Sequence, residues 1–146
     1  MERMKKKLNI LIICADFYKD IADVMIDNAK NYLDQKEYTY EVSRVSGSFE
    51  IPVLISILDE ERIQKYDGII ALGCIIRGET KHFDFISSSI INGIMSLSMN
   101  KKIPIGNGIL TCENMDQVKA RYEQKPVETI DAIISVLRNL PAYKDV

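Results

Sequence analysis

The chain has 146 residues, 47% of them hydrophobic and 27% charged, as expected of one ordinary globular domain with a single core. Its formal net charge of −2 argues against nucleic acid as the main partner, because binding a phosphate backbone needs a basic face. No stretch approaches the ~20 apolar residues that would span a bilayer, and Cys14, Cys74 and Cys112 are too widely spaced to suggest a disulfide framework or a zinc site.

Residues 1–7, with the basic run Lys5-Lys6-Lys7, are expected to form a flexible solvated tail. That run, followed by Leu8 to Cys14, imitates a secretory or lipoprotein leader. The imitation fails because the apolar run is short, Ile13 precedes Cys14, and Asp16 follows at once. Unpaired thiols make a reducing cytoplasm the simplest location and buried packing their simplest role.

Leu8 to Cys14 reads as a strand buried on both faces. Tyr18 to Leu33 carries Ile21, Met25, Ala29 and Leu33 at helical spacing, and Tyr38 to Val45 alternates as a strand nearer a sheet edge. Phe49 to Ile63 predicts one helix, with Pro52 tolerated in its first turn. After the Asp67-Gly68 turn, Ile69 to Ile76 reads as a buried strand and Phe83 to Leu97 as a long helix. Ile103 to Thr111 is the fourth strand. Met115 to Arg121 predicts a short helix, and Pro126 opens a last one that runs through Leu137.

Four alternations of strand and helix predict an α/β fold, a three-layer α/β/α sandwich on a four-stranded parallel sheet of flavodoxin-like type. Ligands in such sheets sit beyond the carboxyl ends of the strands. That rule nominates the loops at residues 15–18, 46–50, 77–82 and 111–114. His82, the only histidine, lies in the third of them, so imidazole proton transfer can occur only there. Arg77 to Lys81 leads into a helix and offers unpaired N–H groups to an anion, with Thr80 a candidate cap, although no phosphate-binding GxxxxGK[ST] loop is present. Phe17 and Phe49 are placed to stack a planar ring or to anchor the core. Glu50 suits a helix start as well as a polar ligand, and Arg121 suits helix-end carbonyls as well as a phosphate.

Ser46-Gly47-Ser48-Phe49-Glu50-Ile51-Pro52, the run from Ala71 to Asp84, and Gly108-Ile109-Leu110-Thr111-Cys112-Glu113-Asn114 resemble the signature segments of the 6,7-dimethyl-8-ribityllumazine synthases, in the same order and at similar spacing. The likeness spans roughly Leu8 to Arg121. It implies condensation of 5-amino-6-(D-ribitylamino)uracil with 3,4-dihydroxy-2-butanone 4-phosphate, in riboflavin biosynthesis, without metal or cofactor. Phe17 would stack on the pyrimidine. Ser48, Phe49 and Glu50 would hold the ribityl chain and ring edge, with Cys74, Ile75 and Ile76 lining the ring. Backbone groups of Glu79 and Thr80, with Arg121, would bind the phosphate, and His82 would move protons. Asn107 matches a position that approaches the pyrimidine from a neighbouring subunit, and the resemblance implies homo-pentamers or multiples of them, with sites at subunit interfaces.

The chain departs from the common family pattern at three places. Asp16-Phe17-Tyr18 stands for Arg-Phe-Asn, Ser46 for a proline, and Tyr122 to Pro126 for a Gly- and Lys-rich segment, so Lys125 is not counted among the site residues. The nearest enzyme rival is the archaeal-type riboflavin synthase, which uses two lumazines and no butanone phosphate. A lumazine- or flavin-binding carrier is the rival from another class. A signalling receiver is disfavoured, since the first strand lacks paired acids and the third lacks a terminal aspartate.

Overall fold

The apolar runs become the strands of a single sheet in the computed structural model, which describes residues 6–79 and 81–146. The order is β1 (Asn9–Ala15), α1 (Lys19–Gln35), β2 (Thr39–Val45), α2 (Glu50–Ile57), α3 (Glu60–Ile63) and β3 (Gly68–Ile76). A 3-10 turn (Arg77–Glu79), α4 (Phe83–Lys101), β4 (Ile105–Cys112), α5 (Met115–Arg121), α6 (Lys125–Leu137) and a 3-10 turn (Pro141–Tyr143) complete it. The four strands lie in the order β2-β1-β3-β4 and every pairing is parallel, with Cys14 opposite Leu72 and Leu72 opposite Gly108.

Alternate residues of each inner strand feed two separate cores. Ile10, Ile12, Ile70 and Leu72 pack under α1 and α6, while Leu11, Ile13, Ile69 and Ala71 pack under α2 and α4. This is the expected three-layer sandwich, and it explains why β1 and β3 read as unbroken apolar runs. In α1 the predicted stripe widens to Ile21, Ala22, Met25, Ile26, Ala29 and Leu33, all buried. Each of its large members contributes roughly 1.5–3 kcal/mol.

The single helix expected over residues 49–63 is two helices. Leu58 is extended (φ −62°, ψ 121°), and Asp59 caps α3 by accepting the Arg62 N–H at 2.8 Å. A continuous helix would carry the Ile51, Ile55, Leu58 face onto Arg62. The break re-phases the chain so that Ile63 is buried and Arg62 is exposed. The tail expected through residue 7 is also tied down at its end. Lys6 lies 4.0 Å from the Tyr143 ring centroid and Lys7 pairs with Glu37 at 2.9 Å; the rest of that expectation lies outside the described residues. Among the described residues, no helix is long and apolar enough to cross a membrane.

The seat of α6 on the sheet depends on a missing side chain. A Cβ at Gly108 would lie 2.6 Å from Leu72 Cδ2, 2.8 Å from Thr129 Oγ1 and 2.9 Å from the Ala71 carbonyl. The backbone of β3 cannot retreat, and Thr129 is held through its bond to the Lys125 carbonyl at 2.7 Å. Gly108→Ala is therefore expected to cost about 1–3 kcal/mol by overpacking. Urea denaturation checks it, and an unchanged midpoint would show that α6 shifts freely on β4.

Candidate active site

Three strand ends build the site. After β1 the Asp16 N–H continues the ladder to the Val45 carbonyl at 2.9 Å, and the Asp16 carboxylate lies 4.0 Å from Arg44, which also binds Asp23 at 2.7 Å. The next residue, Phe17, is 75% exposed. Its ring meets Tyr18 edge to face, with centroids 5.0 Å apart and planes at 80°. Tyr18 packs against the α1–α6 core, and its hydroxyl donates to the Glu79 carboxylate.

After β2 the chain turns through Ser46 to Phe49. Ser46 Oγ donates to Glu50 Oε1 at 2.9 Å, and the Glu50 N–H reaches the Gly47 carbonyl at 3.1 Å. Ser48 is buried against β3 because Gly73 leaves room for it. A Cβ at Gly73 would sit 3.0 Å from Ser48 Oγ and 3.1 Å from Ala15 Cβ. Phe49, by contrast, is 55% exposed.

After β3, Arg77 is engaged rather than open to a ligand. It bonds Glu113 at 3.0 Å and Asp84 at 3.2 Å, and its guanidinium lies 4.4 Å from the Phe83 ring centroid. This ties the third loop to the fourth and to the start of α4. His82 is exposed and occupies the N-cap position of α4, where its carbonyl accepts the Ile86 N–H at 2.8 Å. Thr80, with its expected capping and phosphate roles, lies outside the described residues.

These strand ends enclose a cavity of about 290 Å³ lined by Phe17, Tyr18, Gly47, Ser48, Phe49, Cys74, Ile75, Ile76, Glu79 and Ile86. Seven sequence candidates therefore meet in one place. His82 stands three residues beyond Glu79, and Glu50 curls back onto Ser46 without lining the cavity. Sequence reasoning missed Tyr18, Gly47 and Ile86. Tyr18 was signalled by its place in a strand-end loop, whereas Ile86 looks like any core residue of a helix.

Two candidates lie elsewhere. Asn107 is on β4, an outer strand, where its side chain accepts the Ile109 N–H at 3.1 Å. It lines a cavity of about 340 Å³ between α4 and α6. Arg121 ends α5 and lines another of about 420 Å³, with Thr111, Gln124, Lys125 and Glu128. Lys125, which sequence reasoning left aside, thus joins Arg121 at this outer edge.

The 6,7-dimethyl-8-ribityllumazine synthase family model matches residues 7–140. The chain belongs to this family. The lumazine synthase of Bartonella tribocorum (strain CIP 105476 / IBS 506) is 41% identical over 124 residues, covering 85% of this chain and 82% of that protein. Lumazine synthase 1 of Rhizobium meliloti (strain 1021) is 45% identical over 119 residues, covering 80% of this chain and 78% of that protein. The lumazine synthase of Agrobacterium fabrum (strain C58 / ATCC 33970) is 45% identical over 121 residues, covering 81% and 82%. Membership of the lumazine synthases makes the protein an enzyme of riboflavin biosynthesis.

In this lumazine synthase Cys74 lines the cavity as a half-buried thiol. Burial pushes its thiol up to about 12, does the same to Cys14, and raises Cys112 as well. All three are free thiols held in the neutral form. For Cys14 and Cys74 the ordinary value in an unfolded chain is 9.0, so their contribution to stability is complete below pH 9. It is lost between pH 9 and 12, as the unfolded state releases protons that the folded state keeps. Alkaline urea titrations should show stability falling there by up to ~1.4 kcal/mol per pH unit for each buried thiol, less steeply in Cys14→Ala. A Cys14→Ala profile parallel to the wild type would refute the assignment.

Proposed function

We propose that the enzyme condenses 5-amino-6-(D-ribitylamino)uracil with 3,4-dihydroxy-2-butanone 4-phosphate to give 6,7-dimethyl-8-ribityllumazine, phosphate and water. The observation that carries this is the gathering of seven candidate residues around one cavity, at the strand edge where an open α/β sheet binds ligands. Phe17 and Phe49 support it further. Two aromatic rings more than half exposed beside an apolar hollow are suited to sandwich a flat heterocycle.

In this reading Phe17 stacks on the pyrimidine and Cys74, Ile75 and Ile76 line its plane. Ser48, Phe49 and Glu50 hold the ribityl chain and ring edge. Backbone N–H groups at Glu79 and Thr80, with Arg121, take the phosphate. The aromatic amine is already nucleophilic, so the residues mainly hold the two reactants in register, which is worth up to ~7–11 kcal/mol in favourable cases. His82 takes and returns protons as the amine adds to the ketone, phosphate leaves and the ring closes with loss of water. Such acid–base assistance contributes roughly 10²–10⁴-fold.

The proposal includes a homo-oligomer, a pentamer or a multiple of it, acting in the cytoplasm on small molecules. Support for shared sites comes from the division of the candidates. The cavity spans β1, β2 and β3, while Asn107 and Arg121 lie on and beside the outer strand β4. A neighbouring β4 edge brought to the cavity mouth supplies both, and Lys125 with them. Exposed Ile57, Phe85, Met95, Met99 and Val136 give the apolar surface that such an assembly buries.

Mixing the enzyme with both substrates should yield lumazine fluorescence and one phosphate per product. Consumption of lumazine alone, with no use of the ketone phosphate, would replace this reading with a riboflavin synthase. His82→Ala should lower kcat by about 10²–10⁴-fold and leave a measurable rate; complete loss in a folded variant that still binds substrate would contradict the stated division of labour. Arg121→Ala should raise KM for the phosphorylated ketone selectively. Co-assembling it with His82→Ala should give activity above that of either variant alone, and no such gain in mixed oligomers would exclude sites shared between subunits.

A further inference from the structure

We propose that Tyr18 is a positioning residue for anion binding, its hydroxyl holding the Glu79 carboxylate away from the phosphate-accepting backbone at Glu79. The inference rests on the proposed function, which assigns that backbone to the phosphate of the ketone. It starts from a conflict of charge. Glu79 offers an N–H to a phosphate dianion and carries a carboxylate on the same residue, and a free carboxylate within ~5 Å of a phosphate opposes binding even in water. A group that fixes where the carboxylate points removes that opposition.

Tyr18 is built to be that group. Its ring packs against the α1–α6 core and against the edge of Phe17, so the hydroxyl sits on a constrained support. From the β1 loop it reaches 61 residues along the chain to donate to Glu79, and both residues rim the same cavity. The Arg77–Glu79 turn itself has little packing to hold it, since a Cβ placed on Gly78 would meet nothing within 4 Å. Side-chain ties at its two ends hold it instead. Arg77 is fastened to Glu113, Asp84 and Phe83, and Glu79 is fastened to Tyr18.

The test is a double-mutant cycle read in KM. Tyr18→Phe keeps the ring and removes the hydroxyl. KM for the phosphorylated ketone should rise about three- to tenfold, the scale of one hydrogen bond and one screened like-charge contact, with KM for the aminouracil within about twofold. Placed on a Glu79→Gln background, the same change should move KM for the ketone by less than about twofold, because no charge remains to be held aside. A rise equally large in both backgrounds would mean a packing role and overturn the proposal, as would an unchanged KM in Tyr18→Phe. Should the wild type fail to turn over the substrate pair, the functional reading falls. Calorimetric titration with inorganic phosphate then reads the same cycle without turnover. Weaker binding in Tyr18→Phe that Glu79→Gln abolishes upholds the latch, while equal binding across the cycle, or none in the wild type, overturns it.

Discussion

Parallel pairing of β1 with β3, covered on both faces, is the constraint from which the rest of the molecule follows. Parallel neighbours cannot be joined by a tight hairpin, so every connection must cross a face of the sheet, and here each crossover carries a helix. The two inner strands supply side chains to both cores at once. Ile10 to Cys14 and Ile69 to Leu72 are each no more than 2% exposed. The same rule that makes these runs apolar also brings all four carboxyl ends to one edge. The hollow lined by Phe17, Ser48 and Cys74 is thus a consequence of topology before it is a consequence of chemistry.

What was legible in the chain tracks how far each feature depends on local chemistry. Strands, helix stripes and the four strand-end loops between them were legible because burial imposes a period that a side-chain pattern must obey. The break between α2 and α3 was only faintly marked, by Asp59 three residues before Arg62, because tertiary packing decided which of Arg62 and Ile63 turned inward. The end of α4 was missed for a different reason. Its C-cap is Lys102 at φ 56°, and α1 is followed by Glu37 at φ 61°, so the left-handed positions that usually advertise themselves as glycine carry ordinary side chains. Within the site, Phe17, Ser48, Phe49 and the Cys74 to Ile76 wall were legible as strand-end residues. The separation of Asn107 was implied only by the family resemblance, and that of Arg121 was not legible, because it depends on which strand lies outermost and element order along the chain does not specify order across the sheet.

That separation bears on how the enzyme divides its work. A hollow of about 290 Å³ is small for two substrates, and it presents aromatic and aliphatic walls with few fixed charges. The cations suited to an anionic substrate stand together at the other edge, where Arg121 and Lys125 share a cavity. Under the proposed assembly, one subunit contributes the flat apolar slot and its neighbour the charge. An isolated chain would then hold the ring but grip the phosphate only through the backbone of the third loop, so association would complete the site.

The residues that depart from the common family pattern show how such a site can change without losing its frame. Asp16, where the family commonly has arginine, faces Arg44; Tyr18, in place of asparagine, binds Glu79; Ser46, in place of proline, binds Glu50. Each of these residues therefore has a partner inside the chain. The effect is clearest at Ser46. Proline stiffens a turn by fixing φ, whereas serine leaves the backbone freer and recovers order through a side-chain bond. That bond ends on Glu50, a residue assigned to the substrate, so ligand binding has to compete with it or use it. Tyr18 and Glu79 pose the same choice at the rim of the cavity. In both places a tie that orders the site is made by a group expected to meet a substrate, and such ties are preorganising only if the bound state keeps them.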